Sequence, residues 1–154
     1  MGGDLPPAVK GRSPTFLVEA LKDPDGANLD RIQIVKVWTL KGNSQEKVID
    51  VVWAGSRAID PKTGKLPPVG NTVDAQTATY TNVIGSTELI GEWTDPGFDP
   101  KASATYYARV LEILTPRWST YWAAELHLPP NPRVRAAVQQ RAWTSPIWYA
   151  PAGD

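Results

Sequence analysis

The chain has 154 residues, of which 42% are hydrophobic, and its sixteen basic side chains balance sixteen acidic ones. This length suffices for one domain with a buried core, and the balanced charge creates no overall field that would attract nucleic acid or an anionic membrane. The lack of cysteine excludes disulfides, thiolate metal sites and a cysteine nucleophile.

The first half of the chain predicts three strands. Residues 1–14 are rich in glycine and proline, which is typical of an extended lead-in. A strand over 15–21 ends at the turn signal DPDG of residues 23–26. The runs 31–40 (RIQIVKVWTL) and 46–54 (EKVIDVVWA) are dense in β-branched and aromatic residues and lie a short turn apart. They therefore predict an antiparallel hairpin.

The second half alternates between loops and strands. Residues 55–86 form a long loop, and loops of this length usually cover part of a domain. The further elements that we predict, in chain order, are two short strands at 72–74 and 78–81, strands at 88–93 and 105–114, one or two helical turns within 119–126, a short helix or irregular arm at 133–139, and a last strand at 141–149. Pro146 places this last strand at a sheet edge or a bulge, because proline donates no backbone hydrogen bond.

About seven short strands separated by turn signals predict an all-β, immunoglobulin-like antiparallel β-sandwich with at most one or two short helices. We expect a single domain over 15–150 and a tail at 151–154. No apolar run approaches the roughly 20 residues needed to cross a bilayer, so we expect a soluble chain without membrane contacts. Its compartment stays open, and a periplasmic or secreted location would require an export signal upstream.

A dozen strand residues are the candidate core because they are large and apolar and lie within the predicted strands. They are Phe16, Ile32, Ile34, Trp38, Val51, Trp53, Leu89, Trp93, Tyr107, Val110, Leu111 and Trp148. Seven tryptophans in the chain supply large areas of apolar surface that a β-sheet core can bury.

Motifs for catalysis are absent from the sequence. There is no glycine-rich phosphate loop and no G-x-S-x-G elbow. The single histidine, His127, cannot complete a typical zinc site without cysteines, so we expect a loop or surface role for it. We therefore expect no catalytic residue, no metal and no cofactor, although a glycosidase using two carboxylates stays open because nothing marks which two would pair.

Two groups of residues are candidate binding sites. Asp95 and Asp99 flank Gly97-Phe98 and could bind an ion or sugar hydroxyls, whereas a simple turn is the alternative. Trp118, Tyr121 and Trp122 could stack on sugar rings, whereas covering an interface is the alternative.

Arg109 lies in the middle of a predicted strand among apolar neighbours. A buried arginine needs a carboxylate partner, because an unpaired buried charge is strongly unfavourable. The strand-borne candidates for this partner are Glu19 and Glu92, so we predict a structural ion pair.

Several segments resemble the C-terminal part of a bacterial family called domain of unknown function 3604. They are 13–36 (SPTFLVEALKDPDGANLDRIQIVK), 66–74 (LPPVGNTVD), 78–85 (ATYTNVIG), 93–100 (WTDPGFDP), 106–120 (YYARVLEILTPRWST) and 141–149 (RAWTSPIWY). The resemblance implies a relation to the polymerase-and-histidinol-phosphatase (PHP) metal-dependent hydrolases. Their metal-binding histidines lie in an N-terminal barrel, in a motif of the GDLHxHT kind. This chain has no such motif, so none of those ligands can be assigned here.

The resemblance thus implies a non-catalytic C-terminal module of a larger metal-dependent hydrolase, with the N-terminal catalytic domain of that protein as its partner. Met1 would then be internal, and part of the first strand would lie upstream. A sheet left open in this way would favour self-association by strand addition or swapping. The alternatives are a carbohydrate- or polymer-binding module, a self-assembling structural subunit and an independent hydrolase that uses Asp or Glu pairs.

Overall fold

The computed structural model describes residues 2–8, 11–129 and 131–151. The elements of this part of the chain are β1 (Gly3–Asp4), β2 (Thr15–Leu21), β3 (Leu29–Leu40), β4 (Asn43–Trp53), β5 (Glu88–Thr94), β6 (Ala104–Pro116), α1 (Trp118–Glu125), β7 (Ala137–Trp143) and β8 (Ile147–Tyr149). The predicted mainly β fold is confirmed. The helix α1 has eight residues, which is far too short to cross a lipid bilayer.

Six strands form one open sheet in the order β1-β8-β6-β3-β4, and β7 pairs with β6 as well. The strands β3 and β4 form the hairpin that the sequence predicted. Lys41 and Gly42 both have positive φ, 50° and 78°, which is the conformation of a type I′ turn. Such a turn matches the right-handed twist of the two strands and so favours this hairpin.

The remaining two strands, β2 and β5, form a separate antiparallel sheet that packs on one face of the large sheet. Phe16 of β2 packs in a cluster with Ile34 of β3 and Tyr106 of β6. Gly91 allows β5 to approach β4 closely, because a Cβ at this position would lie 2.9 Å from the Cβ of Val52. The small sheet therefore lies over the β3–β4 side of the large one.

Most of the predicted core residues are confirmed. Phe16, Ile32, Ile34, Leu89 and Leu111 are buried, and four others pack against the two core clusters while partly buried: Trp38, Val51, Trp93 and Val110. The prediction for Trp148 is wrong, because more than half of this side chain is exposed. Its neighbours Ile147 and Tyr149 pack on the core, so strand alternation turns Trp148 outward.

The end of the chain differs most from the prediction. Residues 133–139 were expected to be a helix or an irregular arm, but β7 already begins at Ala137. The single strand expected over 141–149 is split, because the segment with Pro146 separates β7 from β8. The short strands expected at 72–74 and 78–81 reduce to one isolated bridge, Asp74 to Thr79.

The lead-in is part of the sheet rather than a free arm. Gly3 and Asp4 form β1, which pairs in parallel with β8. The N–H of Leu5 also donates to the carbonyl oxygen of Trp148 at 2.7 Å. The last three residues of the predicted tail lie outside the described residues.

Candidate functional site

The helix α1 is fixed to the sheet by backbone contacts and one buried side chain. It begins directly after Arg117, whose N–H donates to the carbonyl oxygen of Ala136 at 2.8 Å. The hydroxyl of Thr120, which is buried, donates to the same oxygen at 2.7 Å. These two bonds hold the first turn of α1 against the segment before β7 and so determine which side of the helix faces outward.

Three aromatic side chains occupy the outward side of α1, and we call them the aromatic face: Trp118, Tyr121 and Trp122. Their positions i, i+3 and i+4 put them on one stripe of the helix. They are 66%, 37% and 55% exposed. The Trp118 ring centroid lies 6.4 Å from that of Tyr121 and 5.7 Å from that of Trp122, with ring planes at 56° and 58°. The Trp118 ring contacts both neighbouring rings, and the two tryptophans leave more than half of their surface to solvent.

The C-terminus of α1 adds more exposed apolar surface. The N–H of Leu128 donates to the carbonyl oxygen of Ala123, and that of His127 donates to Ala124. This is a Schellman motif, and His127 has the left-handed φ of 56° that the motif requires. It turns the chain so that Leu126 and Leu128 are both more than half exposed beside the helix.

A basic cleft of about 420 Å³ lies next to the start of α1. Three arginines line it, and we call it the arginine cleft: Arg117, Arg135 and Arg141. Arg117 donates its Nε–H to the carbonyl oxygen of Arg135 at 3.1 Å. The ion pairs found within the described residues use other cations, so these three guanidinium groups remain available to an external acidic group.

Asp95 and Asp99 do not form the exposed pair that a shared ligand would need. Asp95 is buried, and its Oδ2 accepts from Lys36 Nζ at 2.5 Å and from the Tyr106 hydroxyl at 2.8 Å. Its Oδ1 accepts from the N–H of Gly97 at 2.9 Å. Asp99 is exposed and its carboxylate accepts from a backbone N–H two residues on. Asp95 thus faces the core, and Asp99 stabilises a turn.

The partner of Asp95, Lys36, is a buried cation that sequence reasoning missed. Its Nζ also donates to the carbonyl oxygen of Gly97 at 2.9 Å and lies 5.1 Å from the ring centroid of Trp38. Burial, together with the hydrogen bond to Asp95 and its charge, raises the pKa of Tyr106 well above its ordinary value. The sequence did contain a signal for the burial of Lys36. It follows Ile34 by two residues, so both side chains lie on the inward face of β3.

The ion pair predicted for Arg109 is wrong. Arg109 donates from Nε and Nη2 to Oε1 of Gln33 at 2.8 and 2.6 Å. Gln33 in turn donates to Asp50 at 2.7 Å, so the charge is compensated through an amide. Glu19 and Glu92 lie on the outward side of the small sheet, whereas Arg109 faces away from that sheet.

A comparison with known protein families shows to which family this domain belongs. The model of a family described as protein of unknown function (DUF3604) matches residues 1–151, which include both sheets and α1. The chain belongs to the DUF3604 family. No curated protein and no solved structure matches it.

The DUF3604 chain contains a second buried carboxylate, Asp30, that the sequence did not single out. Its oxygens accept from Arg57 at 2.7 Å, from Arg31 at 3.0 Å and from Gln139 at 2.9 Å. These contacts connect β3 to the long loop and to β7. Because all its partners are donors from this chain, Asp30 has a structural role.

In a chain without cysteine, His, Asp and Glu are the side chains that usually hold metal ions. Within residues 2–8, 11–129 and 131–151, no group of three or more of them is arranged to hold a metal ion. The aromatic face and the arginine cleft are exposed groups of side chains of the kinds that bind other molecules.

Proposed function

We propose that this chain is a non-catalytic interaction module that docks on another protein domain through its aromatic face and arginine cleft. The observation that carries this proposal is the exposure of Trp118 and Trp122 beside a cleft lined by three arginines. Tryptophan, tyrosine and arginine are the residue types that most often dominate binding energy in protein interfaces.

The exposed apolar surface of α1 supports docking, because covering it would release free energy through the hydrophobic effect. Single exposed hydrophobic residues are ordinary, but adjacent ones mark interaction sites. Trp118 and Trp122 contact each other, and Leu126 follows Trp122 by one helical turn. A partner that covers this surface would gain about 25 cal/mol for each Å² of apolar area removed from water.

The charge of the cleft indicates the chemistry of the partner. Arginine pairs with carboxylates through two parallel hydrogen bonds, which gives both energy and orientation. We infer that the docking partner places acidic side chains opposite Arg117, Arg135 and Arg141 and an apolar groove opposite the aromatic face.

The partner that we propose is the N-terminal catalytic domain of the same, longer protein. The resemblance to the C-terminal part of the family supports this, and it extends the proposal to a parent related to the PHP metal-dependent hydrolases. In this proposal the two sheets form a β-sandwich of the immunoglobulin-like class that packs on the catalytic barrel.

Ring geometry favours a protein partner over a carbohydrate. A flat sugar chain stacks best on coplanar rings, whereas the planes of Trp118 and its two aromatic neighbours cross at 56° and 58°. Crossed rings present a ridge, which fits a groove between side chains of another domain.

The test uses the reading frame that precedes Met1 in the genome. Its product is expressed separately and its affinity for residues 1–154 is measured by calorimetry. Trp122→Ala is expected to weaken binding at least about tenfold, as for other interface tryptophans. The matched control is Trp143→Ala, because Trp143 on β7 is 58% exposed and Trp122 is 55% exposed.

Two results would overturn the proposal. One is an upstream product that does not bind, or that binds the Trp122→Ala variant as tightly as the natural chain. The other is retention on a glycan panel that Trp118→Ala abolishes, which would assign the aromatic face to carbohydrate.

A further inference from the structure

Among the strands of the described residues, only β5 pairs with β2, so the opposite edge of β2 is open there. The N–H of Lys22 donates to Thr87 at 2.9 Å, and that of Asp95 donates to the carbonyl oxygen of Pro14 at 3.1 Å. Hydrogen-bonded pairs alternate along an antiparallel ladder, so the even-numbered residues of β2 bond to β5. The odd-numbered residues therefore direct their N–H and C=O groups to the open edge: Thr15, Leu17, Glu19 and Leu21.

An apolar trench of about 270 Å³ runs along this edge between the two sheets. Its floor and wall are made largely of core side chains from both sheets: Phe16, Val18, Ile32, Ile34, Ala108 and Val110. Residues of β2 form one side of the trench, so a chain lying in it would meet the unpaired backbone groups and the apolar floor together.

The trench lies where a third strand of the small sheet would run. The large sheet follows the order β1-β8-β6-β3-β4, whereas the small sheet has two strands. Because β5 lies close to Val52 of β4, the small sheet leaves the inner face of β6 partly uncovered on the β2 side. Neighbouring strands are about 4.8 Å apart and stacked sheets about 10 Å apart, so a third strand fits beside β2 above this uncovered face.

We propose that the trench binds an extended peptide of a partner protein, which pairs with β2 as the third strand of the small sheet. Side chains of such a strand alternate between the floor and the outside. The positions that face the floor are apolar, and the intervening position opposite Glu19 is basic. This inference concerns a different surface from the aromatic face and does not rest on the docking function proposed above.

The basic positions follow from the charge of the outward side of the small sheet. Three glutamates are exposed there, Glu19, Glu88 and Glu92, next to the exposed Leu17 and Ile90. Opposite charges on adjacent strands stabilise a sheet, and like charges destabilise it. A strand with outward lysines or arginines therefore fits beside Glu19, and a strand with outward acidic residues does not.

A single strand fits this edge better than a second intact copy of the chain. The position beside β2 lies above β6 of the same molecule, as the trench lining shows. A second copy that placed its own β2 there would bring its large sheet into the space that β6 and β8 already occupy. The occupant that we propose is therefore a single strand.

The experiment uses a fluorescein-labelled peptide as long as β2 that alternates valine and lysine, with residues 1–154 titrated and anisotropy measured. Two controls have matched length: the same composition with the valines and lysines in two blocks, and an alternating valine–glutamate peptide. We expect the alternating lysine peptide to bind at least roughly tenfold more tightly than either control, since only it satisfies both the floor and the outward charges.

Variants of the chain test the site itself. Leu17→Pro removes a donor from the open edge but none from the β2–β5 ladder, and it should weaken binding roughly tenfold. Ile90→Pro is the matched control on β5, because Ile90 pairs with Glu19 and its N–H points away from β2. Ala108→Phe narrows the trench and leaves the backbone donors of β2 in place, so it tests the site even if Leu17→Pro unfolds the domain.

The proposal is wrong if the block peptide binds as well as the alternating one, or if neither Leu17→Pro nor Ala108→Phe reduces binding. It is also wrong if no peptide binds while sedimentation shows a dimer of the chain that Leu17→Pro dissociates, because the edge would then belong to a second copy.

Discussion

The strand β3 and the outward side of α1 both carry side chains in unfavourable surroundings, and the two elements differ in how these side chains are compensated. On β3, the buried Lys36 is paired with Asp95 and the buried Asp30 with two arginines. On α1, Trp118 and Trp122 stay exposed. This chain thus compensates its buried charges with its own side chains, whereas the exposed rings of α1 are the surface for which we propose a partner.

Removing the partner of a buried charge should produce the largest effect. Asp95→Ala leaves the Lys36 ammonium buried without a counter-ion, and we expect the free energy of unfolding to fall by about 3–5 kcal/mol. Urea denaturation measures this. Asp99→Ala is the control, because Asp99 is exposed and should change stability by about 0.5 kcal/mol at most. Equal losses in the two variants would show that the buried pair has no special role.

A buried and an exposed tryptophan give a second test of this difference between the core and α1. Trp93 packs on Phe16 and Tyr106 between the sheets, so Trp93→Ala should lower the free energy of unfolding by about 3 kcal/mol. Trp122→Ala should lower it by less than about 1 kcal/mol, because that ring is mostly in solvent. Thermal unfolding of both variants checks this. A large loss for Trp122→Ala would mean that the aromatic face supports the fold rather than a partner.

The smallest effect concerns Glu112 of β6. Burial, with a contribution from the nearby Asp23 charge, raises the pKa of Glu112 above 4.5. The folded state therefore holds this proton more tightly than the unfolded state, and the Glu112 contribution to stability falls as pH rises through and above 4.5. Glu112→Gln should raise the melting temperature at pH 7 more than at pH 4. A shift of the same size at both pH values would contradict this assignment.

Local patterns account for the part of the fold that was predicted. The strand β2 begins and ends where its composition and the following DPDG turn indicated. The hairpin β3–β4 was also predicted, because short loops pair neighbouring strands. Helical turns within 119–126 were expected, and the helix α1 spans Trp118–Glu125, with Arg117 at its N-cap position and no side-chain cap.

The candidate site was only partly accessible to sequence reasoning. The aromatic face was singled out from three residues within one helical turn and a half, which is local information. The arginine cleft was missed, because it joins Arg117 to Arg135 and Arg141 only after β7 folds back along β6. Arg109 was assigned to glutamates that lie on the other sheet, since the sequence does not state which face of a sheet each strand covers.

Composition and two-residue periodicity by themselves determined that this chain is mainly β, where most strands run and which residues are large enough to form a core. Two features depend on the tertiary structure. Lys36 pairs with Asp95, which lies 59 positions away in sequence, and β2 has an open edge above an apolar trench. The physical reason is that alternation along a strand depends on neighbouring residues, whereas pairing of strands and stacking of sheets depend on which distant segments together exclude water best.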